Sequence, residues 1–193
     1  MTRILAALLG LAISSLPLGA QPTSEKVVLV LDGSNSMWGQ IEGVAKITIA
    51  KDVLASMLDG WQSETAFGLV VYGHREEGNC DDIETLVGLG PFDGEVARSA
   101  VSSVTPRGKT PLTAAVRHAA TLFAQSGATG RIVLLTDGIE TCKGDPCQLG
   151  EELAAQGVGL AVHIVGFDMT GQDVSPLRCL AEVTGGSYRD ASD

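Results

Sequence analysis

Positive charge is scarce in this chain. Thirteen lysines and arginines face 23 aspartates and glutamates, a formal net charge of -10. A surface that acidic has little means of holding nucleic acid or anionic lipid through bulk electrostatics, and suits cations or basic partner surfaces instead. Aromatic residues are few as well, at 4%, so any that falls in a loop stands out. No apolar run reaches the length of about 20 residues that a bilayer span takes; the run near the N-terminus is interrupted by Ser14, Ser15 and Pro17. There is no internal repeat, low-complexity tract or interdomain linker. Two catalytic signatures are also missing. G-x-S-x-G does not occur, and the phosphate-binding loop suggested by Gly108-Lys109-Thr110 has Ser103 where its first glycine is required.

The N-terminus has the form of an export signal. MTR supplies a basic start, ILAALLGLAISSLPL an apolar core, and Leu18-Gly19-Ala20 a small-residue cleavage site. Residues 1–20 are therefore expected to be removed, leaving a chain that starts near Gln21. Roughly 170 residues then remain, the size of one domain. Losing Arg3 takes the charge from -10 to -11. No cysteine sits at the cut, which argues against a bacterial lipid anchor. The chain should be periplasmic or secreted, and not membrane-spanning after cleavage. Its four cysteines, Cys80, Cys142, Cys147 and Cys179, all lie in the mature part. An even number in an exported chain points to two disulfides.

Strand-like and helix-like segments alternate along the rest. KVVLVLD (26–32), RIVLLTD (131–137) and LAVHIVGFD (160–168) are apolar runs ending in aspartate. Such runs fit parallel strands covered on both faces. TAFGLVVYG (65–73) is similar, and DIETLVGL (82–89) alternates like a half-exposed edge strand, so the two should form an antiparallel hairpin. The segment 44–61 places Ile47, Val53, Leu54, Met57 and Leu58 on one broad helical face. LTAAVRHAATLFAQ, PCQLGEELAAQG and SPLRCLAEVTGG read as further helices. The order β-α-β-β-α-α-β-α-β-α-β predicts a three-layer α/β/α sandwich, doubly wound and mostly parallel with one antiparallel edge strand. In such sheets ligands bind beyond the carboxyl ends of the strands, where the winding reverses. Asp32 and Asp137 both stand at such ends.

The segment VVLVLDGSNSMWG (27–39) then raises a choice, because a buried strand runs into an acid, two serines and an asparagine. A serine nucleophile fits poorly. DGSNS is similar to the serine segment of GDSL-type hydrolases, but its acid and glycine are transposed. Those enzymes also need an Asp-x-x-His pair, and none of His74, His118 or His163 has an aspartate three residues earlier. A turn with a helix cap would account for Asp-x-Ser-x-Ser taken alone. Two distant features favour a metal site instead. Thr110 lies in a glycine-bearing loop before a helix, and Asp137 ends a buried strand and precedes Gly138. Three hydroxyls and two carboxylates make an all-oxygen cage of the kind hard divalent cations take; Mg2+ accepts six oxygens at about 2.0–2.1 Å.

Together DGSNS, the GKT before LTAAV and the aspartate of LLTDG resemble the metal-ion-dependent adhesion site of von Willebrand factor type A (VWA) domains, in order and spacing. The resemblance covers roughly residues 25–191, and is nearest to small exported bacterial members with YGHR, GIETC and VGFD segments. It implies a Rossmann-like fold. It also implies direct coordination by Ser34 and Ser36, direct or water-bridged coordination by Thr110, and water-holding carboxylates at Asp32 and Asp137. The implied ion is Mg2+, with Mn2+ and Ca2+ as alternatives. With few direct carboxylates the ion stays electron-poor and favours an acidic oxygen from a partner protein. That makes the site a binding device, not an enzyme. The last segment, GSYRDASD, supplies a short strand and leaves out the family's usual final helix.

Met37 and Trp38 follow the metal loop and are candidates for an apolar rim that a partner packs against; folding back over the loop is the alternative for Trp38. GHREEGNCDD (73–82) should lie on the same rim as a solvated turn. His163 is expected to be a satisfied strand histidine. For the cysteines, pairing Cys80 with Cys142 and Cys147 with Cys179 avoids a reach across several strands, each about 4.8 Å wide. A zinc site lacks a second C-x2-4-C or a histidine pair. Two other functions stay open at this point: a metal-dependent hydrolase, with Glu140 as the nearest base, and a structural component of an envelope assembly.

Overall fold

β1 (Lys26–Asp32) sets the architecture. Its β-branched and leucine residues alternate between two faces, as strand geometry dictates, and both faces are covered. Val28 and Val30 join one apolar cluster, while Val27, Leu29 and Leu31 join the other. In the computed structural model, which describes residues 25–126, 129–157 and 159–191, this strand lies inside a six-stranded sheet. The expected signal, residues 1–20, falls outside the described residues.

The other strands are β4 (Ala66–Tyr72), β5 (Ile83–Gly90), β6 (Gly130–Thr136), β7 (Leu160–Gly166) and β8 (Tyr188–Asp190), in the spatial order β5-β4-β1-β6-β7-β8. β5 alone runs antiparallel, on the edge beside β4; the remaining pairs are parallel. The chain winds outward from β1 through β4 to β5, then crosses back and winds the other way through β6, β7 and β8. The reversal falls between β1 and β6, whose register aligns Leu31 with Leu135. Asp32 and Asp137 therefore emerge side by side.

Helices α1 (Lys46–Asp59) and α2 (Gly94–Ser103) cover one face through Leu54, Leu58, Ala97 and Val101. Helices α3 (Leu112–Ser126), α4 (Pro146–Ala155) and α5 (Ser175–Val183) cover the other through Val116, Phe123, Leu149, Leu153, Leu177 and Leu180. Asp93 and Asp145 cap α2 and α4 by accepting backbone N–H groups of the first turn. The disulfides join Cys80 to Cys142 and Cys147 to Cys179.

Three details differ from the sequence reading. Gln40–Ile41 (β2) and Val44–Ala45 (β3) form a small hairpin that the periodicity did not announce. Its turn residues Glu42 and Gly43 both have positive φ, 51° and 84°, as two-residue hairpin loops require. The hairpin delays α1 to Lys46. On that helix Ile47, Ala50, Leu54 and Leu58 are buried, whereas Val53 and Met57, assigned to the same face, are exposed. Among the described residues no helix follows β8, and none is long and apolar enough to cross a membrane.

Candidate metal centre

At the end of β1 the carboxylate of Asp32 is fully buried and held at both oxygens. Oδ1 accepts the Ser34 backbone N–H at 2.8 Å, and Oδ2 accepts the Thr136 hydroxyl at 2.7 Å. The Thr136 oxygen in turn accepts from the Tyr72 phenol at 3.2 Å and from the Gly138 N–H at 3.2 Å. Beyond Asp32 the chain turns so that Ser34 Oγ and Ser36 Oγ stand 2.9 Å apart, and Ser36 donates to Asp137 Oδ1 at 2.6 Å. Four of the expected ligands thus form one connected polar cluster. Ser36 is its exposed member, whereas Asp32, Ser34 and Asp137 are buried, so the cluster opens to solvent on the Ser36 side.

Thr110 arrives on a neighbouring loop and is buried. That loop is clamped from two sides. Asn35 N–H donates to the Gly108 carbonyl at 2.9 Å, and Arg107 and Gly108 N–H groups donate to the Gly73 carbonyl at 3.1 and 2.7 Å. The approach is too close for side chains: a Cβ at Gly73, whose φ is +66°, would lie 2.3 Å from the Lys109 carbonyl oxygen. Past Gly108, Thr110 is fixed by a reciprocal pair with Thr141, N–H to hydroxyl at 2.9 Å and carbonyl to N–H at 3.2 Å.

The charges do not balance within the cluster. Burial, and then the neighbouring charge of Asp137, push the Asp32 carboxyl above its ordinary value, against the opposing hydrogen bonds from Ser34 and Thr136. Burial and the Asp32 charge likewise push the Tyr72 phenol well up, so it stays a donor. The cation in contact is Lys46, whose Nζ lies 3.2 Å from Asp137 Oδ2 and 3.2 Å from Asp168 Oδ2. Burial alone would lower that ammonium, but its bonds to Asp168 and Asp137 outweigh burial and raise it. One ammonium bonded to two carboxylates, Asp137 and Asp168, with a third, Asp32, buried in the same cluster, leaves surplus negative charge beside the Ser34 and Ser36 hydroxyls. That donor set fits a hard divalent cation. Among the described residues no three His, Cys, Asp or Glu side chains cluster as a metal site. Zinc binding by cysteine is set aside, because all four cysteines are in disulfides.

Of the two expected rim residues, one is corrected. Met37 is fully buried in the cluster under α1 and α2. The short 3-10 turn Asn35–Trp38 rotates it inward while aiming Trp38 out. Trp38 is 50% exposed, with its indole N–H on the Pro106 carbonyl at 3.0 Å. The 73–82 turn is more ordered than a solvated loop. Asp82 is buried at its base and accepts from Arg75 N, Arg75 Nε and Glu76 N at 2.7, 2.6 and 3.0 Å. Cys80–Cys142 ties this turn to the loop after Asp137. Glu140 holds that loop from within, accepting the Thr113 and Cys142 N–H groups at 2.9 and 2.6 Å. Each histidine ring is paired with a residue outside the five expected ligands, His74 with Glu84, His118 with Thr85 and His163 with Ser187.

Three participants escaped the sequence reading: Thr136, Lys46 and Asp168. Thr136 and Asp168 carry a local signal, being the polar residues at the ends of apolar strands. Lys46 carries none, since a lysine in a helix is ordinarily solvated.

The sequence matches the von Willebrand factor type A domain family over residues 26–191. Among curated proteins it is similar to the uncharacterized protein YwmD of Bacillus subtilis (strain 168), 33% identical across 100% of this chain and 92% of that one. YwmC of the same organism is 32% identical across 84% of this chain and 74% of its own length. Solved structures of similar fold include a von Willebrand factor type A protein from Catenulispora acidiphila, with TM-score 0.71, 20% identity and 89% of this chain covered. The proximal thread matrix protein 1 of the mussel byssus, with a zinc-occupied MIDAS motif, gives TM-score 0.68 at 19% identity over 86% of this chain. The pilus adhesin SpaC of Lactobacillus rhamnosus GG gives 0.67 at 18% over 90%. The match spans about two fifths of the first two of these solved chains, 39% and 41%, and 29% of the adhesin. At such identities the likeness is one of fold.

Proposed function

The chain belongs to the von Willebrand factor type A domain family, and from that premise we propose that it is an exported protein-interaction module. Asp32, Ser34, Ser36, Thr110 and Asp137 would hold a divalent cation, Mg2+ foremost, and the partner would be a protein offering a carboxylate at the Ser36 side. Such an ion supplies an open coordination position for an acidic oxygen. The chain's own residues do the rest. Asp32 and Thr136 lock the ends of β1 and β6 together, Ser34 and Ser36 present their hydroxyls 2.9 Å apart, and the Gly73–Gly108 contact seats Thr110. Trp38 offers apolar surface beside the opening. Export is supported by the two disulfides, which form in oxidising compartments.

The observation that carries this reading is the polar chain Ser34–Ser36–Asp137 set over two buried carboxylates in excess of their counter-charge. Glu140, the nearest base for a hydrolytic reading, is tied into its own loop by one backbone N–H at each oxygen. The test is capture of partners from an envelope extract with and without EDTA, repeated with Asp32→Ala. Captured protein should be lost under both treatments. Retention under both would leave the cation irrelevant to binding. Titrating the EDTA-treated protein with Mg2+, Mn2+, Ca2+ and Zn2+ in turn identifies the ion, Zn2+ being included because the mussel protein's motif holds it.

A further inference from the structure

We infer that Lys46 is a built-in counter-cation of the candidate centre, which holds one oxygen of Asp137, leaves the other to the centre, and lowers the centre's affinity for divalent ions. This rests on reading Asp32, Ser34, Ser36, Thr110 and Asp137 as a cation centre.

Lys46 is the first residue of α1, where the positive end of the helix dipole disfavours a cation. Its side chain is nonetheless only 10% exposed. It is kept there from three directions. Its own N–H donates to the Gly39 carbonyl at 2.8 Å, and its stem lies so close beneath that turn that a Cβ at Gly39 would meet Cε at 3.3 Å. Its ammonium sits 3.2 Å from Asp137, beyond the end of β6, and 3.2 Å from Asp168, beyond the end of β7. Asp168 has φ +52°, a left-handed conformation in which aspartate is enriched among non-glycine residues.

The effect on Asp137 is geometric. Oδ1 takes the Ser36 hydroxyl at 2.6 Å and Oδ2 takes Lys46 at 3.2 Å. A carboxylate held at both ends does not turn to chelate with both oxygens. Ca2+ commonly uses bidentate carboxylates, whereas Mg2+ is satisfied by single oxygens and water. A fixed positive charge in contact with a ligand also repels any divalent ion through a poorly screened interior. Asp168 has the opposite effect, since it draws the ammonium partly off Asp137 and adds a negative charge.

Isothermal titration of the mature chain with MgCl2, MnCl2 and CaCl2 separately tests this. Lys46→Met, which keeps the stem and drops the charge, should bind at least about tenfold more tightly, with the largest gain for Ca2+. Asp168→Asn should bind more weakly than wild type. A residue that only supports the fold would move both variants the same way. Equal or weaker binding by Lys46→Met, with wild-type binding intact, overturns the inference and leaves the cation centre standing. Should Lys46→Met lack the native circular dichroism spectrum, Asp168→Asn decides: affinity equal to or above wild type overturns the role. If neither wild type nor Lys46→Met binds any of the three ions, the cation-centre reading itself fails.

Discussion

Thr136 donates its hydroxyl to Asp32 Oδ2 at 2.7 Å, joining residues 104 positions apart in the sequence. This bond fixes the neighbouring ends of β1 and β6, and the site is built on that junction. Replacing Thr136 with valine keeps the shape and removes the hydroxyl, leaving Asp32 and the Tyr72 phenol short of a buried partner. The expected cost is about 1–3 kcal/mol, read from urea denaturation in EDTA, together with weaker Mg2+ binding. Unchanged stability and unchanged binding would mean that the junction does not depend on the hydroxyl.

Asp32→Asn separates charge from shape. Burial and Asp137 raise the Asp32 carboxyl, so its charge is carried at a cost in the ion-free protein. The amide should leave ion-free stability within about 1 kcal/mol of wild type while abolishing the rise in Tm that MgCl2 produces. Differential scanning calorimetry with MgCl2 and with EDTA measures both. A surviving Mg2+ shift would remove Asp32 from the centre.

The 73–82 turn is expected to be acid-sensitive through Asp82. Burial alone would raise this carboxyl, but the backbone N–H groups of Arg75 and Glu76 and the Arg75 guanidinium outweigh it and hold it below the ordinary value. A carboxylate with a lowered folded pKa stabilises fully above its unfolded value of 3.8, and that stability is lost as pH falls through the lower folded value. Asp82→Asn should therefore cost about 2–4 kcal/mol at neutral pH and show a shallower acid limb in stability measured from pH 7 downward. A full-strength acid limb in the variant would place the titrating group elsewhere.

Cys80–Cys142 spans 62 residues and anchors the loop after Asp137 to the 73–82 turn. The double variant Cys80→Ala/Cys142→Ala should lose about 2–4 kcal/mol and bind Mg2+ less tightly, since the loop carrying Thr141 loses its outer tether. Guanidinium melts and metal titration check the two effects. Loss of stability with metal affinity intact would show that Glu140 suffices to hold the loop.

Trp38 is the exposed aromatic beside the opening. Trp38→Ala should weaken partner capture at least tenfold, or about 1.4 kcal/mol or more, with Mg2+ affinity unchanged. If both fall together, the indole acts by supporting the metal loop through its bond to Pro106.

Much of this protein is written locally. Continuous apolar runs ending in aspartate mark the parallel strands, although only β1 and β4 are buried almost throughout. β7, expected to be covered on both faces, is buried on one, with Ala161, His163 and Val165 half-buried on the other. The spacing of DGSNS, GKT and LLTDG marks the candidate site. Counting strands between the loops favoured one cysteine pairing without fixing it, and the fold settles it as Cys80–Cys142 and Cys147–Cys179. What the tertiary structure decided lies in contacts that no local pattern encodes. Met37 and Trp38 are adjacent and alike in hydropathy, yet one 3-10 turn buries the first and exposes the second. Lys46 reads as a surface lysine until the ends of β6 and β7 bring two carboxylates to its ammonium, 91 and 122 positions further on. Sequence periodicity reports which face a residue takes. It says nothing about which distant charge will meet it there, and that meeting determines the electrostatics of the site.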